Sequence, residues 1–164
     1  MRRETFEKAE RKFVLIMKWG SVAFLVGLFL LIGAGVFVRF VPIASMGWAD
    51  EIIELGFAWM VFFGSTVLWR ERSHFNVDLI PGRLAGSRAG YILEIFLGFL
   101  SLLFFVILSY EGWRLALSVE DRSPILDLPK IFWYVIVPIT GTLMLGYTVR
   151  DIWLLFHGRS PSQK

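Results

Sequence analysis

The chain has 164 residues, 56% of them hydrophobic, with a formal net charge of only +3 and no cysteine. A soluble domain is nearer 45–50% apolar, and the charges here are pushed between apolar blocks, so a water-soluble globule is a poor fit. Without cysteine, neither a disulfide framework nor a thiolate metal site can form.

The first dozen residues are charged, with Phe6, Ala9 and Phe13 at near-helical spacing. They fit a short helix lying on the inner membrane surface, or equally a basic tail. Residues 19–38 then run without a charge between Lys18 and Arg39. That length suits a membrane span, for which about 20 mostly apolar residues are needed. It exceeds the apolar core of a signal peptide, and no A-x-A-like site follows it.

The second and third apolar blocks, 55–69 and 95–110, are shorter. At 1.5 Å per residue, 15 residues cover about 22 Å of a hydrocarbon core about 30 Å thick. Both helices must therefore extend into charged flanks. The second is expected from Ala49, carrying Asp50, Glu51 and Glu54 on its first turns, and the third from Gly90. The fourth block, 131–149, lies between Lys130 and Arg150 and contains Pro138, which predicts a kink. The expected spans are 18–39, 49–70, 90–112 and 130–150, an all-α integral membrane fold of four transmembrane helices within a single domain, 1–164.

Sidedness follows from the basic residues. Six precede the first span, four (Arg70, Arg72, Arg83, Arg88) join the second to the third, and three follow the fourth. The other side holds Arg39, Arg114, Arg122 and Lys130. The richer side is cytoplasmic by the positive-inside rule, which puts both chain ends in the cytoplasm. Six of the seven tryptophans fall at span ends, as an aromatic belt requires; Trp59 alone lies near mid-membrane.

Ion pathways and catalytic centres in membranes need ionisable groups at depth, and these spans are almost bare. Glu71 and His74 have the E-x-x-H spacing of di-iron bundles, but the second histidine, His157, has Leu154 at the matching position. No catalytic, cofactor or metal site is read, and no enzyme. Two charged clusters remain. Arg39 is expected to pair with Glu51 or Glu54 across a short loop. Arg70, His74 and Asp78, at i, i+4 and i+8, share a helix face if the second helix continues, before Pro81-Gly82 ends it.

Taken in order, Arg39, Trp48-Ala49-Asp50-Glu51, Phe63-Gly64, Arg70-x-x-x-His74-x-x-x-Asp78, Leu128-Pro129, Trp133-Tyr134 and Pro138-Ile139-x-Gly141 resemble the small membrane subunit of tripartite ATP-independent periplasmic (TRAP) transporters, the DctQ-like family. The resemblance covers about residues 14 to 156; Asp50-Glu51 stands where two glutamates often stand. Because the chain stops soon after its fourth helix, it resembles the separate small subunit and not a fusion to the large one.

The resemblance implies a bacterial inner-membrane protein that scaffolds a large multi-span subunit. The sodium and substrate sites then belong to that partner, and a periplasmic binding protein delivers an organic anion such as a carboxylate. It implies no cofactor in this chain. Trp48, Asp50, Glu51 and Glu54, with Glu120 and Asp121, become candidate contacts for the binding protein, and Arg70, His74 and Asp78 would set the cytoplasmic end. The competing readings are a self-contained four-helix transporter and a membrane assembly factor. The first span lacks the embedded carboxylate that small multidrug exporters use.

Overall fold

The computed structural model describes residues 2–41, 45–71 and 88–156, and these residues form helices joined by one ordered loop. They are α1 (Arg2–Phe40), α2 (Gly47–Arg70), α3 (Arg88–Ser118), the short α4 (Ile131–Tyr134) and α5 (Ile136–Phe156). Four stretches are long and apolar enough to cross a membrane: Glu10–Phe40, Gly47–Arg70, Ile95–Ser118 and Ile131–Leu155. The all-helical, four-span class expected from the sequence is the class observed.

One detail differs from expectation and another sharpens it. The N-terminal segment is helical, but as a direct continuation of the first span: α1 has 39 residues, about 58 Å of helix against a core about 30 Å thick. Nothing in residues 2–18 breaks a helix, since the segment holds neither Gly nor Pro. The fourth span is interrupted at Val135, where α4 ends and α5 begins. Pro138 accounts for the place. Its ring clashes with the carbonyl four residues back, on Tyr134, the last residue of α4. As the third residue of α5, the proline loses no hydrogen bond for want of an N–H.

The helices do not close into a four-cornered bundle. α1 packs on α2, α2 on α5, and α5 on α3, while the backbones of α1 and α3 stay apart. The order across the row is α1, α2, α5, α3. Small residues make the close approaches on two of these seams. On the α1–α2 seam, Gly56 lies against Leu28, Gly20 against Phe63 and Gly64 against Ser21. The Ser21 hydroxyl donates to the Met60 carbonyl at 2.6 Å. On the α3–α5 seam, Gly112 lies against Pro138, Gly141 against Ser109 and Gly98 against Ile152. A Cβ at Gly112 would sit 3.2 Å from the backbone nitrogen of Pro138. Pro138 is fully buried, so it serves this seam as well as the kink.

Without water to satisfy them, four threonine hydroxyls within the spans turn on their own helices. Thr66, Thr140, Thr142 and Thr148 each donate to the carbonyl four residues before. Trp59, the mid-membrane tryptophan, donates from Nε1 to the Phe132 carbonyl at 2.9 Å and so links α2 to α4. The outward faces of α1 and α3 carry large exposed apolar side chains such as Phe29, Leu30, Phe99 and Leu103. In a bilayer that exposure carries no penalty, because lipid or a partner helix covers it.

Candidate functional site at the two ends of the helix row

One end of the row is built around Glu51. It lies on the second turn of α2 and is buried. Its two carboxylate oxygens accept the backbone N–H groups of Ile125 at 2.8 Å and Leu126 at 2.9 Å. These amides belong to the loop between α3 and α4, which is itself tightly turned. Arg122 and Pro129 face each other as an antiparallel bridge. Ser123 N–H donates to Leu128 O at 2.8 Å, and Lys130 N–H to Asp121 O at 2.9 Å. Asp127 closes the turn with φ at 52°, the left-handed region that Asp tolerates better than most residues. Arg122 holds it there through the Asp127 carbonyl and carboxylate, both at 3.0 Å. Two successive amides converging on one anion is a backbone nest, and here the anion is a side chain of α2. Gly47 completes the fit, since a Cβ there would meet Ile125 at 3.3 Å.

The expected pairing of Arg39 with Glu51 or Glu54 does not form. Arg39 is exposed and has no ion-pair partner among the described residues. Helical phase explains this. At about 100° per residue, Glu51 points away from the side of α2 where Gly56, Met60 and Gly64 meet α1. Glu54 is exposed on a third direction. Trp48, Asp50, Glu120 and Asp121 are also exposed at this loop end; the Asp121 carbonyl takes part in the loop while its side chain stays free to face outward.

At the opposite, arginine end, Glu10 is the organising residue. One of its oxygens accepts from Arg70 Nε at the end of α2 and from Arg150 Nη1 on α5, the latter at 2.8 Å. The Arg70 guanidinium also lies over the Tyr147 ring, 5.6 Å from its centroid, a cation–π contact. Nearby, Trp69 Nε1 donates to the Thr148 hydroxyl at 3.1 Å, and its ring stacks edge-on against Phe105 at 4.6 Å. Lys18 and Glu71 form a looser pair at 3.7 Å. Three helices that are remote in sequence are thus joined by one carboxylate.

Of the expected Arg70, His74 and Asp78 face, Arg70 is seen and engages Glu10; His74 and Asp78 lie outside the described residues, as does His157. Glu10 escaped the sequence reading. The signal was present, since it is the one acid between Lys8 and Lys18 in an otherwise basic and apolar segment. Among the described residues, no three His, Asp or Glu side chains gather as metal ligands.

Comparison with known proteins bears on the whole arrangement. Residues 28–158 match the family described as tripartite ATP-independent periplasmic transporters, DctQ component. A C4-dicarboxylate TRAP transporter small permease protein, DctQ, from Rhodobacter capsulatus is 28% identical over 103 residues. That stretch is 61% of this chain and 45% of the relative, so the chain spans less than half of the relative's length. Glu51 and its loop fall within the family match, whereas Glu10, Arg11 and Lys18 precede it.

Proposed function

The chain belongs to the DctQ family of TRAP transporters, a transporter component and not an enzyme, and on that premise we propose that it is the small membrane subunit that scaffolds a large multi-span transport subunit. The observation that carries this reading is the open row of helices. Its mid-span stretches 19–38, 55–69, 95–110 and 131–149 hold no Asp, Glu, Lys or Arg. Its ionisable groups gather at the two ends, and its broad faces are apolar. A subunit that binds neither ion nor solute needs no intramembrane charge. A scaffold needs helix faces that another membrane protein can cover, and a row supplies more of them than a closed bundle.

The coupling ion, sodium, and the solute, an organic anion such as a carboxylate, are then handled by the large subunit during uptake across a bacterial inner membrane. Residues 1–164 act as one domain with the arginine end in the cytoplasm. The loop end faces the periplasm, where Trp48, Asp50, Glu54, Glu120 and Asp121 offer an acidic and aromatic surface to the substrate-binding protein. Glu51 contributes indirectly, by holding the loop that presents this surface. Arg70 sets the cytoplasmic end together with Glu10, and His74 and Asp78 are proposed to serve the same end.

The test is a mild-detergent pull-down from native membranes with mass spectrometry of what accompanies the chain. A large multi-span protein in stoichiometric amount is expected; recovery of the chain alone would remove the scaffold reading. In vesicles rebuilt from both subunits, sodium-driven uptake should depend on the binding protein and fall on charge reversal at Glu120 and Asp121. Uptake unchanged by that reversal would discard the loop-end contact. An impermeant thiol reagent should not label a cysteine introduced at Ser87 in intact cells.

A further inference from the structure

Between α1 and α2 at the arginine end lies a cleft of about 290 Å³, lined by Glu10, Arg11, Val14, Leu15, Lys18, Arg70 and Glu71. We propose that it binds the phosphate headgroup of an anionic lipid in the cytoplasmic leaflet.

The lining has the pattern such a ligand requires. Arg11, Val14, Leu15 and Lys18 are spaced i, i+3, i+4 and i+7, so they form one face of α1, with a cation at each end and two apolar side chains between. Seven residues of helix are about 10 Å. Lys18 immediately precedes Trp19 and the charge-free run, which sets it at the edge of the hydrocarbon. Arg11 then stands at the outer side of the headgroup layer, a zone roughly 5–8 Å deep per leaflet. The two cations bracket the depth at which a lipid phosphate sits, and Val14 and Leu15 offer a surface to its glycerol and upper acyl carbons.

The charges leave room for an anion. Glu10 is already held by two guanidiniums, those of Arg70 and Arg150. Glu71 is matched by Lys18 in a loose, solvent-exposed pair at 3.7 Å, which leaves donors of the ammonium group unused. Arg11 is exposed and has no ion-pair partner among the described residues. Among the described residues, and counting Arg150 with the lining, four cations face two carboxylates, a surplus that one monoanionic phosphodiester halves. Anionic lipid in the cytoplasmic leaflet is the natural source, since basic residues near that surface attract it. A free phosphate ion shares the chemistry but would make no use of the apolar floor between Arg11 and Lys18.

The proposal needs only that the chain sits in a membrane with this end inward, so it stands apart from the scaffold reading. Native mass spectrometry of the full chain in neutral detergent tests it, with phosphatidylglycerol, phosphatidylcholine and inorganic phosphate as probes. Phosphatidylglycerol is expected to give a one-to-one adduct about tenfold more populated than phosphatidylcholine, and phosphate alone should neither form the adduct nor displace the lipid. The double variant R11Q/K18Q should lose that preference, with circular dichroism confirming unchanged helix content. K12Q removes a neighbouring charge about 100° away around α1 and should keep it. Equal binding of the two lipids, displacement by phosphate, or equal loss in K12Q would each overturn the proposal. If R11Q/K18Q fails to fold, competition by the phosphate and phosphatidylcholine arms on the unaltered chain still decides it.

Discussion

Each end of the helix row is organised by one glutamate, and the two are used in opposite ways. Glu51 accepts two backbone amides of a loop, whereas Glu10 accepts two arginine side chains from different helices. Backbone donors have no rotamers of their own, so Glu51 dictates the shape of the loop at residue precision. Arginine side chains are long and can find water or other anions, so Glu10 sets how helix ends lie together but is open to competition. The loop end is therefore a rigid presenting surface, and the arginine end an adjustable one.

The strongest way to break this contrast is E51A. Two adjacent amides lose a charged acceptor, and the loop should open. Hydrogen exchange at Ile125 and Leu126 is expected to quicken about tenfold or more, with a large drop in melting temperature in detergent. E51Q should restore one of the two bonds at most, because an amide presents one accepting oxygen where the carboxylate has two. Protection of both amides in E51Q would show that the negative charge and its second oxygen are unnecessary.

G112A asks whether the seam between the ends outweighs either clasp. Its new methyl would press on three Pro138 atoms at 3.2 Å, one of them backbone, and should cost about 1–3 kcal/mol by overpacking. G27A, with nothing within 4 Å, should be neutral or stabilising by up to about 1 kcal/mol. Thermal unfolding of the two side by side measures the difference.

A smaller effect is expected from E10Q. Its partners are partly exposed, with Arg70 at 34% and Arg150 at 41%, so the loss should be about 1 kcal/mol at low ionic strength and shrink as salt rises. A loss independent of salt would place the arginine end in the same rigid class as the loop end. Least of all should follow from R39A, expected within about 0.5 kcal/mol of the parent. A larger loss there would revive the pairing that the helical phase of α2 rules out.

Much of this was legible in residues 1–164, and the failures are instructive. The spans could be read because lipid imposes a length and excludes charge, and those are local properties of a string. Pro138 could be read as a kink for a similar reason, since its clash lies only four residues back along the chain. Glu51 could be placed on the first turns of α2 but not given its partner, because Ile125 and Leu126 are more than 70 positions away and donate from the backbone, which no side-chain pattern betrays. Nothing along the chain separates Gly112 from Gly33, Gly35 and Gly146, yet the packed helices put Gly112 against Pro138 and leave the other three in open space.

By itself, then, the sequence determined how many helices cross the membrane, which faces of the chain carry charge, and the family. Each follows from hydropathy, spacing or local order along the chain. The tertiary structure alone decided that the helices lie in a row, that Glu51 turns to a loop and away from Arg39, and that Glu10 draws three helices together. Those outcomes depend on helical phase and on which small residues let two backbones approach, and neither is settled until the helices are packed.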